Sequence, residues 1–168
     1  MNLVPFWQAL QATKLGDFVA TNDWAFPTIE TLHVMAIVTV VGTILVMDLR
    51  LVGVASKNWA VTKISEDTLP YTWGAFVLAM ITGSLLFMAK ADTYTRDPWF
   101  IWKMIMIVVA GVNMAVFHLF TWKSVHHWDT APEQPIGAKI AGGLSLFFWV
   151  VVVFCARAIG FTLSTYQQ

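Results

Sequence analysis

The feature that most constrains this chain is the stretch from Pro27 to Val52, in which no glycine pair, internal proline or polar run interrupts a helix. Pro27 suits the first turn of a helix, where its missing N–H would have no partner. About 26 residues at a rise of 1.5 Å each give a helix of ~39 Å, longer than a ~30 Å hydrocarbon core. The interior, Val34 to Val46, is apolar on every face, unlike the one-sided stripe of a helix on a soluble domain. His33 lies near one end of the span and Asp48, in Met47-Asp48-Leu49-Arg50-Leu51, near the other. Ionisable groups at such depths are costly to place, so each requires a partner or a function.

Three further apolar stretches follow, so that the spans read as about 27–53, 69–91, 98–122 and 138–163. Charged residues make up only 12% of the 168 residues, about half the usual share for a soluble domain. The connections are short, which forces neighbouring spans to be antiparallel. The predicted fold is therefore all-α: a single transmembrane domain forming an up-down four-helix bundle. Pro70 is read as standing near the start of the second span, where it is tolerated. Residues about 1–22 lack the basic start and unbroken apolar run of a cleavable signal. Phe6, Trp7, Leu10 and Phe18 instead predict a helical segment lying in the membrane interface. Eight of the nine tryptophans fall at or just outside predicted span ends, as indoles at headgroup level do, and only Trp149 is mid-span. Gly42, Gly83, Gly111 and Gly142-Gly143 are the candidate sites of close helix approach.

Five lysines and arginines (Arg50, Lys57, Lys63, Lys123, Lys139) flank the 54–68 and 123–137 connections, against three (Lys14, Lys90, Arg96) on the opposite side. That bias predicts a bacterial inner-membrane protein with both termini periplasmic. Zero net charge and the absence of a basic stripe with interleaved aromatics exclude nucleic acid as an expected partner. The expected partners are the bilayer and either another membrane protein or a second copy of the chain. The lone Cys155, in an apolar stretch, reads as a small packing residue. No phosphate-binding loop, Gly-x-Ser-x-Gly or His-Glu-x-x-His occurs, so hydrolase and phosphate chemistry are not indicated.

Counted along the parallel first and third spans, His33 and Lys103 come out level at one end, and Asp48 and His118 level at the other. The two layers are about 22 Å apart along the axis. Arg157 on the fourth span returns to the His33 layer, which then gathers Glu30, His33, Lys103 and Arg157. One reading is simple snorkelling of Lys103 and Arg157, with Glu30 paired to one of them. The other is a cofactor site: His33 as axial ligand or proton carrier, Lys103 and Arg157 holding carboxylates such as haem propionates, and Glu30 orienting the imidazole. His118 reads either as an interfacial hydrogen-bonding residue or as a metal ligand held by Asp48. His126-His127, adjacent in a polar connection, point in different directions on a helix. Regular helices exclude a haem ligated by both His33 and His118, so the sixth ligand would be absent or supplied by Met88, Met104 or Met106. Thr39, Thr82, Ser84, Asn113 and Ser145 read as polar glue within and between helices.

Pro27-x-x-Glu30-x-x-His33, Gly42-Thr43-x4-Asp48-Leu49-Arg50-Leu51, Thr82-Gly83, Trp102-Lys103, Asn113, His118, Ser145-x-x-x-Trp149 and Arg157 together resemble a bacterial family of small four-span membrane proteins of unknown function. The likeness runs from about residue 20 to 162. More distantly, the plan is similar to copper-resistance D-type proteins and to membrane-bound haem-containing protoporphyrinogen oxidases. The latter place a histidine early in the first span and a lysine early in a later one. That likeness implies roles for His33 and Lys103 only; the arginine-rich, tyrosine-containing exit of those oxidases is missing here. The function expected is a b-type haem-binding or quinone-linked electron-transfer module, a membrane oxidoreductase if it is an enzyme. The alternatives are copper transport or sensing through His33 and His118, and an accessory subunit of a larger membrane complex. Haem b is the expected cofactor, with a quinone or copper in its place under the other readings.

Overall fold

A computed structural model describes residues 4–162 and Thr165. The first three residues of the expected interfacial segment, and residue 163 of the fourth span, lie outside the described set. The described elements are helical throughout: α1 (Val4–Gln11), α2 (Lys14–Thr21), α3 (Ala25–Val52), α4 (Val61–Ala89), α5 (Ala91–Arg96), α6 (Pro98–Val116) and α7 (Ile136–Thr162). A π turn (Phe117–Thr121) and a 3₁₀ turn (Trp122–His127) carry α6 onward to His127. Four helices are long and apolar enough to cross a bilayer. At most 22% of any span's most apolar window is buried inside the protein, so most of that surface is left for lipid.

The boundaries follow from local chemistry. α3 begins two residues before Pro27, because the Asn22 side chain accepts from the Trp24 and Ala25 N–H groups, both at 3.0 Å. It ends at Gly53, whose left-handed φ of 85° lets its N–H reach back to the Leu49 and Arg50 carbonyls. α4 starts at Val61, eight residues earlier than the apolar stretch predicts. Lys63, Ser65, Glu66 and Asp67 are therefore helical rather than part of a loop, and Pro70 lies inside the helix. Charge alone marks those residues as outside the hydrocarbon, not as outside the helix.

The start of α4 has no cap of its own and borrows one from the distant 128–131 turn. Asp129 accepts from the Thr62 N–H at 2.8 Å and from the Thr62 hydroxyl at 2.7 Å, while its carbonyl accepts from the Val61 N–H. Partial burial works against the Asp129 carboxylate, but the bonds from Thr62 outweigh it and hold its pKa below the ordinary value. The stabilisation is therefore complete above the unfolded-state pKa of about 3.9 and is lost as pH falls through the lower folded value. Asp129→Ala is expected to cost about 1–2 kcal/mol at pH 7. In chemical unfolding of the two proteins, that difference should shrink as the pH is taken below about 4.

In the packed bundle, α3 is the central helix. It lies along α4 on one side and α7 on the other, and α7 in turn lies along α6. The α4 and α6 backbones make few close approaches, and near the α5 corner the two helices meet through stacked rings, Phe87 on Phe100 with centres 5.4 Å apart. Close approach of α3 and α7 depends on Gly142, where an added Cβ would stand 3.0 Å from Leu51 Cβ and 3.1 Å from the Asp48 carbonyl. At Gly42, Gly111 and Gly143 a Cβ would meet nothing within 4 Å, so these are not contact glycines. At the His33 end, the buried Asp97 caps α6 through the Trp99 N–H and accepts from the Thr162 hydroxyl at 2.7 Å, tying the start of α6 to the end of α7. Gln11 bridges the Ala89 carbonyl and the Asp92 N–H, and Trp7 packs edge-on against Phe87. These contacts seat the N-terminal helices on the α4–α5 corner.

The apolar core is concentrated at the Asp48 end, around Leu51, Val61, Phe117, Val125, Trp128 and Ala138. Trp128 is thus a core residue, with its indole N–H donating to the Ser124 hydroxyl, and not a member of an interfacial belt. Trp24, Trp59 and Trp102 remain exposed. Arg50, counted in the sequence as a flanking charge, is fully buried. It donates from Nε to the Trp59 carbonyl (2.9 Å) and from Nη2 to those of Ala131 (3.2 Å) and Asp129 (3.4 Å).

Candidate functional site

The group at the His33 end is assembled by three helices. His33 projects from α3 onto α4, where its Nδ1 lies 3.0 Å from the Thr82 hydroxyl. That hydroxyl has one proton, and it is donated to the Leu78 carbonyl at 2.7 Å. With that proton committed, the hydroxyl accepts from Nδ1–H, and the Ala79 carbonyl is also within hydrogen-bonding range of the ring. Gly83 makes the approach possible: an added Cβ would stand 2.9 Å from His33 Cε1. From α6, the Lys103 ammonium comes within electrostatic range of the His33 ring, and it also senses Asp97 and the buried Cys155. Its Nζ lies 4.8 Å from the centre of the Phe100 ring.

The level placement of His33 and Lys103 thus brings the two side chains near each other. Their two expected companions are elsewhere. Glu30 is exposed and stands close enough to Tyr94 to help raise its pKa, behind the larger effect of burial. It does not orient the imidazole; Thr82 does. Arg157 is exposed, with its guanidinium 4.4 Å from the centre of the Phe161 ring one turn further on. Both side chains are turned toward other neighbours than His33.

At the opposite end, Asp48 and His118 line one cavity without bonding to each other. His118, exposed in the π turn, donates from Nδ1 to the Met114 carbonyl at 2.9 Å and leans on Trp122. A backbone carbonyl therefore orients this ring, in keeping with the hydrogen-bonding reading of His118 and not with the one in which Asp48 holds it. Asp48 is 6% exposed, stands beside the Ser145 hydroxyl, and has no hydrogen-bond partner at Oδ2. The cavity has a volume of about 180 Å³ and is walled by all four long helices. Across it the Thr72 hydroxyl donates to Thr43 Oγ1 at 2.8 Å, and Asn113 donates to the Ala141 carbonyl at 2.9 Å. Of the residues read as glue, Asn113 links α6 to α7, whereas Thr39 and Ser84 bond only to their own helices.

Among the described residues no three His, Cys, Asp or Glu side chains converge as a metal site. His126 and His127 are exposed, and His127 is bonded to the Ser124 carbonyl.

Fold and site together define a multi-pass helical bundle of the membrane type, with one oriented histidine at one end and a small cavity holding a buried aspartate at the other. The chain belongs to a family of unknown function, DUF6644, whose model matches residues 7–162. No curated protein and no solved structure matches it.

Proposed function

We propose that this protein is an integral-membrane b-type haem protein of the electron-transfer kind, with His33 as axial ligand. The observation that carries the reading is the bond from His33 Nδ1–H to Thr82, seated over Gly83. An axial histidine must present one nitrogen to the iron while the other N–H is held by an acceptor, which sets the tautomer and the ring plane. Lys103 supplies a cation for a haem carboxylate. The donor set therefore fits the group; when bound, haem supplies one-electron exchange. The distant likeness to haem-containing membrane oxidases at His33 and Lys103 agrees with this reading. A copper site shared by His33 and His118 is less favoured, because the two rings are at opposite ends of the bundle.

The test is the reduced-minus-oxidised absorption spectrum of detergent-solubilised protein made with haem available. A Soret band is expected in the wild type and not in His33→Ala. Thr82→Val should keep the band but bind haem about 10–100-fold more weakly, as loss of an outer hydrogen bond does at other metal sites. A colourless wild type would overturn the proposal, and a colourless protein that co-purifies with a stable partner would favour the accessory-subunit reading.

A further inference from the structure

The cavity at the Asp48 end has features that point to a ligand of its own. Its volume, about 180 Å³, is close to that of an engineered cavity of about 150 Å³ known to hold a benzene ring. Ile44, Phe76, Ile107 and Phe117 make most of its wall apolar, and Trp73 and Trp149 add aromatic faces. Into this wall is set a carboxyl group that is 6% exposed, with Oδ2 unpartnered. A buried acceptor left without a donor is unfavourable by about 1–3 kcal/mol or more, so a bound group carrying an O–H or N–H would be held there.

Two further observations narrow the class. At the rim, His118 has its Nδ1–H committed to the Met114 carbonyl and does not offer that donor to a ligand. In addition, the lining residues Trp73 of α4 and Met114 and His118 of α6 are all exposed, and the backbones of these two helices make few close approaches. The mouth of the cavity therefore lies on the bundle surface between α4 and α6, at a depth where the helices face lipid. A ligand entering there would be membrane-borne, would present a single ring, and would donate hydrogen bonds from that ring. We infer that the cavity binds the ring of a lipid-soluble hydroquinone, with one hydroxyl donating to Asp48 and the hydrocarbon tail leaving between α4 and α6. Binding of the ring does not depend on haem at His33, so the two assignments stand or fall separately.

Duroquinol and duroquinone are suitable probes, being the same ring with and without hydroxyl donors. They would be titrated anaerobically into detergent-solubilised His33→Ala protein, so that no haem at that position reacts with them, with quenching of tryptophan fluorescence as the readout. Saturable binding is expected, with duroquinol several-fold tighter than duroquinone, the usual scale for one hydrogen bond to an uncharged acceptor. In Asp48→Leu that preference should vanish. Gly111 lines the cavity, and a Cβ there meets no atom within 4 Å, so Gly111→Leu fills the space without displacing backbone. That variant should lose binding while keeping the wild-type helical circular dichroism and monodispersity. Equal affinity for the two probes, absence of saturation, or unchanged binding in a folded Gly111→Leu protein would each overturn the inference.

Discussion

Arg50→Ala is expected to loosen the Asp48 end of the bundle, lowering stability by about 1–3 kcal/mol, the cost of a buried carbonyl stranded without a partner. The guanidinium is completely buried and donates to carbonyls on two separate connections, Trp59 in one and Asp129 and Ala131 in the other. Alanine would take the donor from all three acceptors, of which the Asp129 carbonyl keeps the Val61 N–H and the Ala131 carbonyl keeps the Gln134 side-chain amide. The turn that supplies Asp129 to the start of α4 would lose its anchor as well. Arg50→Lys should recover less than half of the loss, since an ammonium cannot span acceptors that a planar guanidinium reaches together. Unfolding of the three proteins in mixed micelles, followed by tryptophan fluorescence, would decide the point. A wild-type midpoint for Arg50→Ala would mean that the Trp59 carbonyl finds water instead.

Gly83→Val is the second large effect, and it acts on the site directly. Its Cβ would stand 2.9 Å from His33 Cε1, inside any real contact, and a branched side chain has no rotamer that relieves this. The imidazole must leave Thr82, and the overpacking itself should cost about 1–3 kcal/mol. Because the strain is against one side chain, it should largely disappear when that side chain is removed. A double-mutant cycle of Gly83→Val with His33→Ala is therefore expected to show a coupling of about 1–3 kcal/mol. Additive costs would place the strain elsewhere. If haem is bound at His33, the single Gly83→Val substitution should also remove the Soret band, as His33→Ala does.

Several of the side chains that matter were visible in the sequence for the wrong reason. Arg50 entered only as a loop charge, since nothing in Asp-Leu-Arg-Leu says that the chain will fold two connections over it. Thr82 was one of five hydroxyl and amide residues read as glue, and it is the one that orients His33. Gly83 was read as a helix-packing glycine, but what it accommodates is a ring. Asp48 and His118 were correctly placed in one layer, and both line the same cavity. Their mutual bond was not formed, because the π turn presents His118 to its own Met114 carbonyl. The early start of α4 was missed because apolar length reports where a helix enters lipid, and a helix can extend beyond it in polar sequence.

Depth is the quantity that the amino-acid order determined by itself. A rise of 1.5 Å per residue and the ~30 Å of hydrocarbon to be crossed set the number of helices, their alternating direction and the level of every ionisable group. What only the packed bundle decided is azimuth: which neighbour each side chain faces once α3 lies between α4 and α7 and α6 lies along α7. Successive residues turn by about 100°, and the rotation of one helix against another depends on side chains far apart in the chain. That is why His33 and Lys103 could be matched in advance by height, while Thr82, Gly83, the outward turn of Arg157 and the unpartnered oxygen of Asp48 appeared only in three dimensions.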